Sequence, residues 1–289
     1  MSRYLLVGTN GERWDLGGDQ VHIDGSSFEG LLGDPEWEER TQQSALLDGQ
    51  RFVGTRALPR QGSFVAKIGW DKPAEFRSID RRWWKSWEPS KYATLEVATE
   101  GRGSRYLDLR FRSDGRWSVD ADPDLFKRAR VPMDVVADDP FWRGDKLSYD
   151  FNPNRPPVDF YGRDRGQRGG PRFYRSKSIV RDVQQLHNPG DVPSPLVWTL
   201  TGPFDSFELT AAGEKVALDR FVPEGQTVTV DSRNYSVMLN TGGGSEDLTA
   251  QASWGFASLP AGSAVPVGVL VFGTGRVKAE WTPKFRRAA

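Results

Sequence analysis

The sequence predicts a mainly β protein of two domains, the first holding one packed helix and the second none. Three observations lead there. Aromatic residues make up 12% of the chain, and Gly (31) and Pro (19) are frequent, a mixture that suits strands and tight turns. Short apolar segments recur between turn signals, while a single segment keeps helical spacing. The length of 289 residues suits two ordinary cores better than one large β domain.

The first seventy residues alternate short apolar stretches with Gly and Asp turns, ending in a strand from Ser63 to Trp70 whose residues Phe64, Ala66, Ile68 and Trp70 share one face. A helix follows over about Pro73 to Trp87. Pro73 suits a first turn, and Asp71 or Lys72 would cap it. Phe76, Ile79, Trp83 and Trp87 recur at spacings of three and four, with Arg77, Asp80, Arg81 and Lys85 opposite, so the apolar stripe should pack on a sheet. Trp84 lies beside that stripe, where it either widens the buried face or meets a partner. Glu88-Pro89 stops the helix. Thr94 to Thr99 and Tyr106 to Arg112 then read as a hairpin across Glu100 to Gly103. In its second strand Leu107, Leu109 and Phe111 alternate with Asp108, Arg110 and Arg112, so one face is wet or meets a neighbour. A strand from Val131 to Ala137 runs into Asp138-Asp139-Pro140-Phe141-Trp142, where proline ends the ladder. A domain boundary near Arg143 follows.

From Asn152 to Arg175 the sequence is rich in Pro, Gly and Arg and has no usable periodicity, which predicts a long loop or arm. Beyond it, strands are expected at Leu196 to Thr201, Ser206 to Thr210, Lys215 to Leu218, Thr227 to Val230, Tyr235 to Leu239, Gln251 to Ser258 and Val265 to Phe272. Such regular spacing predicts a β-sandwich or jelly roll.

Lys plus Arg and Asp plus Glu both total 39, so no net field draws the chain to nucleic acid or membrane. No run of eighteen apolar residues occurs, and the opening MSRYLLVGTNGERW is too weakly apolar for a signal peptide, which predicts a soluble, non-secreted protein. Cysteine is absent, so disulfides and thiolate ligands are excluded. The two histidines, His22 and His187, sit in no nucleophile or metal motif. Asp120, Asp122 and Asp124 begin like a calcium loop, but Leu125 and Val131 stand where such a loop needs Gly and Glu. Gly242-Gly243-Gly244-Ser245 and Gly273-Thr274-Gly275-Arg276 lack the context of a phosphate loop. The expectation is a non-enzyme with no cofactor and no metal. In the arm, Arg163, Arg165, Arg168 and Arg172 interleave with Phe160, Tyr161, Phe173 and Tyr174. They could grip phosphates while stacking bases, although neutral overall charge favours a loop that orders against a protein neighbour.

Three segments carry a more specific pattern. The first runs from Arg56-Ala57-Leu58-Pro59 through the strand ending at Trp70 and the helix to Tyr92-Ala93-Thr94-Leu95. The second is Ala137 to Arg143, with Asp139, Pro140, Phe141 and Trp142 at its centre. The third begins Asn188-Pro189-Gly190-Asp191, continues through Val192 to Pro195, Trp198 and Thr201-Gly202-Pro203, and closes at Leu259-Pro260-Ala261-Gly262. Together they resemble the phage distal tail protein family, especially its branch of actinobacteriophage minor tail proteins. The resemblance implies a tail-tube-like ring-forming domain (1–143) and a galectin-like β-sandwich (144–289). It further implies a structural virion protein, assembled in the host cytoplasm, that forms a hexameric ring at the distal end of the tail, joining the tail tube to the tip or baseplate. Its partners would then be copies of itself, the tail tube protein, the tail-tip hub protein, and receptor-binding proteins or fibres. DNA would only pass through the channel, and no membrane insertion is implied. The arm is longer than such proteins lead one to expect, which makes Arg163, Arg165, Arg168 and Arg172 candidate partner contacts.

Two other classes compete. A carbohydrate-binding sandwich that contacts the host cell wall would use exposed aromatics such as Trp198, Trp254 or Trp281, each of which is also a natural core residue. A glycan-cleaving enzyme would rest on the plentiful carboxylates, of which nothing in the sequence singles out a pair.

Overall fold

In a computed structural model, residues 2–23, 27–43, 48–101, 103–114, 122–151 and 179–289 are described, and the chain divides into two compact units. The expected arm and its arginines lie outside the described residues. Unit 1 comprises residues 1–145 and 284–289, and unit 2 comprises 146–283. Residues 284–289, which the sequence reading assigns to the second domain, therefore pack with the first. Trp142 and Arg143 pair with Phe285 and Lys284, and the Ala288 amide donates to the Leu32 carbonyl at 3.0 Å.

Unit 1 holds β1 (Ser2–Val7), β2 (Arg13–Asp15), β3 (Val21–Ile23), β4 (Trp37–Gln42), β5 (Arg51–Ala57), β6 (Arg60–Ile68), helix α1 (Phe76–Lys85), β7 (Tyr92–Thr99), β8 (Gly103–Ser113), the single turn α2 (Pro123–Phe126), β9 (Ala129–Ala137) and β10 (Trp142–Arg143). Its main sheet runs β2-β1-β7-β8-β9-β6-β3, with antiparallel neighbours. The two edge strands meet through a bridge between Gly17 and His22, and the Ile23 amide donates to the Leu16 carbonyl at 2.8 Å. The sheet thus closes toward a barrel and its edges are covered, which removes the unpaired backbone that invites stray pairing.

Alternation along β6 and β9 turns Phe64, Ala66, Ile68, Val131, Met133 and Val135 inward, where Phe76, Ile79 and Trp83 of α1 cover them. Trp83 meets Trp14 and Trp87 edge-on at 5.5 and 5.7 Å. The helix occupies the expected span, but neither Asp71 nor Lys72 caps it with a side chain. The chain enters instead through a 3₁₀ turn, Pro73–Glu75. At the far end the Ser86 hydroxyl accepts from the Trp14 indole at 2.9 Å and donates to the Arg82 carbonyl at 3.1 Å. Trp84 packs edge-on against Phe111 at 6.2 Å, so it widens the buried face. Trp70 departs from expectation. Gly69, at φ +77, turns the chain out of β6, and a Cβ there would lie 2.7 Å from the Lys127 carbonyl oxygen. Trp70 is consequently exposed, between the cations of Lys67 and Arg128. Asp122 caps α2 by accepting from the Asp124 amide at 2.9 Å, and Asp124 pairs with Arg77 at 2.7 Å.

Unit 2 holds β11 (Leu147–Phe151), β12 (Ile179–Asn188), β13 (Ser194–Pro195), β14 (Val197–Thr201), β15 (Phe204–Ala211), β16 (Glu214–Val222), β17 (Thr227–Asp231), β18 (Ser236–Asn240), β19 (Ser245–Asp247), β20 (Ser258–Leu259), β21 (Ser263–Gly273) and β22 (Arg276–Trp281). A six-stranded sheet, β11-β22-β14-β17-β18-β19, and a four-stranded sheet, β12-β21-β15-β16, share one core in a sandwich-like arrangement. Trp198, Leu200, Val228 and Val230 enter it from the first sheet, and Phe207, Leu209, Val267, Val269 and Val271 from the second. The strand expected over Gln251 to Ser258 is absent except for its end. Ser253 ties that segment to the edge of β16, exchanging bonds with both backbone groups of Ala217, and so holds it as a loop. Trp198 and Trp281 are buried as core residues, whereas Trp254 is 71% exposed.

Candidate assembly site

Arg60 opens β6 at 2% exposure and, among the described residues, has no carboxylate in hydrogen-bond contact. Its guanidinium donates instead to five backbone carbonyls: Pro140 (3.1 and 2.9 Å), Gly30 (3.2 Å), Leu31 (3.0 Å), Gly33 (2.8 Å) and Arg286 (3.0 Å). Burial pushes its pKa down, opposed by the charge of Asp34. A planar fork with five N–H donors is the side chain that can satisfy so many carbonyls at once.

The segment Asp139-Pro140-Phe141-Trp142 is built into this clasp. Pro140 supplies a carbonyl to Arg60, and Trp142, fully buried, donates its indole N–H to the Leu31 carbonyl at 3.2 Å. Phe141 packs on Trp37 at 6.1 Å, and Asp139 pairs with Lys284 at 2.7 Å. Arg286 in turn pairs with Asp34 at 2.5 Å and lies over the Trp37 ring. The hydrogen bond from Arg286 holds the Asp34 carboxyl below its ordinary value, with further help from Trp37 and Arg287. A carboxyl with a lowered folded pKa stabilises the fold above its unfolded value, here 3.8, and that contribution is lost as pH falls through the folded value. Urea titrations between pH 5 and pH 2 should therefore show Asp34→Asn losing stability less steeply than the parent below pH 4. Parallel slopes would contradict the linkage.

The third segment pins unit 2 in a similar way. Asn188, at 0% exposure, donates through Nδ2 to the carbonyls of Val192 and Leu259, both at 3.0 Å. Its Oδ1 accepts from the Gly190 amide at 3.0 Å and the Ser194 hydroxyl at 3.3 Å. Gly190 accepts from Gly262, joining the β13–β20 pair to the start of β21. Pro189 and Asp191 are exposed within that turn.

For contact with other molecules, the arginine-bearing face of β8 was one expectation. Its cations are engaged inside unit 1: Arg105 lies over Phe285 and donates to the Arg287 carbonyl, Arg110 pairs with Asp138, and Arg112 reaches Gln61. The β4–β5 hairpin has a different character. It forms its own two-stranded sheet, and Glu38 to Gln42 of β4 are all exposed. Across from them, Phe52 and Val53 of β5 are 61% and 63% exposed beside a bulge. Trp37 anchors the base to the clasp. An isolated two-stranded ribbon is marginal in water, so a hairpin that carries unburied apolar side chains and unpaired edges is a natural place for another chain to add. The sequence reading overlooked it, because neither strand has the apolar alternation that marks a core face.

Among the described residues no group of His, Asp or Glu side chains is arranged to hold a metal ion, and no helix is long and apolar enough to cross a membrane. Ion pairs or hydrogen bonds hold Asp19, Asp34, Glu88, Asp124, Asp138, Asp247 and Glu280 low. Asp80 moves up through burial on α1, with a hydrogen bond from Trp84 opposing it.

The arrangement defines a class: a β unit with one packed helix and an exposed hairpin, into whose chain a β-sandwich is inserted. That fold is shared along nearly the whole chain with the SPP1 Dit protein (gp 19.1), a paradigm of the hub adsorption apparatus in phages that infect Gram-positive bacteria. The TM-score is 0.62 at 12% identity, covering 98% of this chain and 99% of that one. A chain of the phage p2 baseplate in its activated conformation is also similar, with a TM-score of 0.51, 11% identity, and 97% and 98% of the two chains covered. No protein-family model and no curated protein matches the sequence.

Proposed function

We propose that the chain is a non-enzymatic structural protein of a long-tailed phage, forming a ring at the distal end of the tail. The ring joins the tail tube to the tip or baseplate and leaves a channel for DNA. The observation that carries this reading is the end-to-end likeness of fold to a phage hub protein, over nearly the whole of both chains. The sequence segments discussed above point the same way, and six copies is the number that resemblance implies. Copies associate through the β4–β5 hairpin, each lending its exposed strand edges to the next in a heterologous contact that closes by rotation. The tail tube protein, the tail-tip hub protein, and receptor-binding proteins or fibres are the remaining partners. The segment with Arg163, Arg165, Arg168 and Arg172 serves as an additional contact element. The protein is assembled in the host cytoplasm and resides at the tail tip of the virion.

Sedimentation velocity and negative-stain electron microscopy test this directly. Purified protein should form closed rings from its 32.4 kDa subunit, and antibody labelling should mark the tail tip. Phe52→Ser combined with Val53→Ser should leave the circular dichroism unchanged while weakening association at least about tenfold, the scale of a modest interface contact. A protein that stays monomeric at all concentrations and is absent from tail tips would overturn the reading. Rings that persist unweakened in the double variant would remove the hairpin from the interface and leave the ring standing.

A further inference from the structure

We propose that Tyr235, Trp254 and Phe256 form a saccharide-binding platform on the sandwich unit, one that receives the apolar face of a pyranose ring. Trp254 and Tyr235 are 71% and 57% exposed, and their rings lie near parallel, 21° apart with centroids 6.5 Å from one another. Phe256 stands edge-on to both, at 5.3 Å from Trp254 and 5.7 Å from Tyr235. It also packs against the sandwich core, so the platform has a buried root.

The cluster is held in place before any ligand arrives. Trp254 and Phe256 flank Gly255, whose backbone presses on β16 so closely that a Cβ would fall 2.1 Å from the Lys215 carbonyl oxygen. Ser253, next in line, exchanges hydrogen bonds with both backbone groups of Ala217 at 2.8 and 2.7 Å. On the other side Tyr235 holds a left-handed backbone at φ 53, unusual for a residue with a Cβ and a form of local strain that clusters at ligand sites. The turn leading to it is fixed by Asp231, which accepts from the Arg233 amide at 2.8 Å and from Asn234 Nδ2 at 2.8 Å. Two rings set out in water on two braced loops lose little further freedom on binding.

Size and rim select the occupant. Three aromatic side chains offer at most about 450–750 Å² in total, much of Phe256 being already covered, against roughly 800 Å² per partner for a stable protein contact. A single sugar face fits that span. Arg233 and Asn234, exposed in the turn that leads to Tyr235, bring polar side chains next to the platform in sequence, of the kind a ring of hydroxyls needs and an apolar protein surface does not.

Calorimetric titration of the full chain with cellotriose and with chitotriose, alongside an array of bacterial cell-wall polysaccharides, tests the site. Saturable binding to at least one probe is expected. Trp254→Ala should weaken it at least tenfold, and Trp254→Phe should retain part of it. Neither change should alter circular dichroism or the melting temperature, since the side chain is mostly in water. Absence of saturable binding to every probe would overturn the proposal, as would binding that Trp254→Ala leaves intact. A Trp254→Ala effect on sedimentation alone would show that the platform meets protein, which overturns it too. Ring formation is read separately through the hairpin variants, so the two readings fail independently.

Discussion

Replacing Arg60 with methionine is expected to destabilise unit 1 by about 3–5 kcal/mol, the order expected when several hydrogen bonds from one charged group are lost, each worth about 1.5–3 kcal/mol and partly replaced by water. Methionine has a similar length and fills the space, so the loss isolates the polar function from the volume. The five carbonyls that face the guanidinium come from three separate stretches of chain, residues 30–33, 140 and 286. Without the fork the Pro140 carbonyl loses its buried donor, at a desolvation cost of about 1–3 kcal/mol, and Leu31 keeps only the Trp142 indole, while the carbonyls of the exposed residues Gly30, Gly33 and Arg286 lose bonds that water can partly replace. Arg60→Lys keeps the charge but has a single compact ammonium in place of a planar fork, so an intermediate loss is expected. For a unit of this size the methionine variant should melt roughly 6–20 °C lower. Calorimetry of the intact chain, with the unit 2 transition as internal reference, measures this. A loss below about 1 kcal/mol would mean that the carbonyls find other partners at little cost.

Asn188 carries the second large effect. Asn188→Leu should lower the stability of unit 2 by about 3 kcal/mol, because the Val192 and Leu259 carbonyls and the Gly190 amide all lose a buried partner. Asn188→Asp discriminates further. It keeps the shape and the acceptor for Gly190, but turns the amide donor into an oxygen facing two carbonyls. A carboxyl placed there would have its folded pKa raised, so its destabilisation grows as pH rises from about 4 to 7. Chemical denaturation at those two pH values should show the Asp variant closer to the parent in acid. Equal deficits at both would indicate that water enters the turn.

What was legible in the sequence followed strict periods. The stripe from Phe76 to Trp87 and the hairpin of β7 and β8 were readable because spacings of three and four, or of two, are bounded by Pro89 and by Glu100 to Gly103. Strand β12 was not read. Its sequence, IVRDVQQLHN, breaks apolar alternation with Arg181, Asp182, Gln184 and Gln185, as befits an edge strand whose Val183 is 62% exposed. The segment from Gln251 to Ser258 misled for the opposite reason, since Ala252, Trp254 and Phe256 alternate in sequence yet serve a braced loop. The clasp was hidden more deeply. Backbone carbonyls leave no trace in residue type, and one partner of Arg60 lies 226 residues away. Pro140 and Asn188 drew notice as motif residues, but the hydrogen bonds that give them their work were visible only once the chain had folded.

The return of residues 284–289 to unit 1 has a consequence for how the protein is made and loaded. The sandwich is an insertion, connected to unit 1 by two covalent crossings, at 145–146 and at 283–284. On the ribosome, unit 1 stays incomplete until Arg286 emerges to meet Arg60 and Asp34, by which time the whole of unit 2 has already been synthesised and can fold first. Tension on the sandwich is likewise divided between two peptide strands instead of falling on a single linker, so a pull must break two covalent paths before the units part.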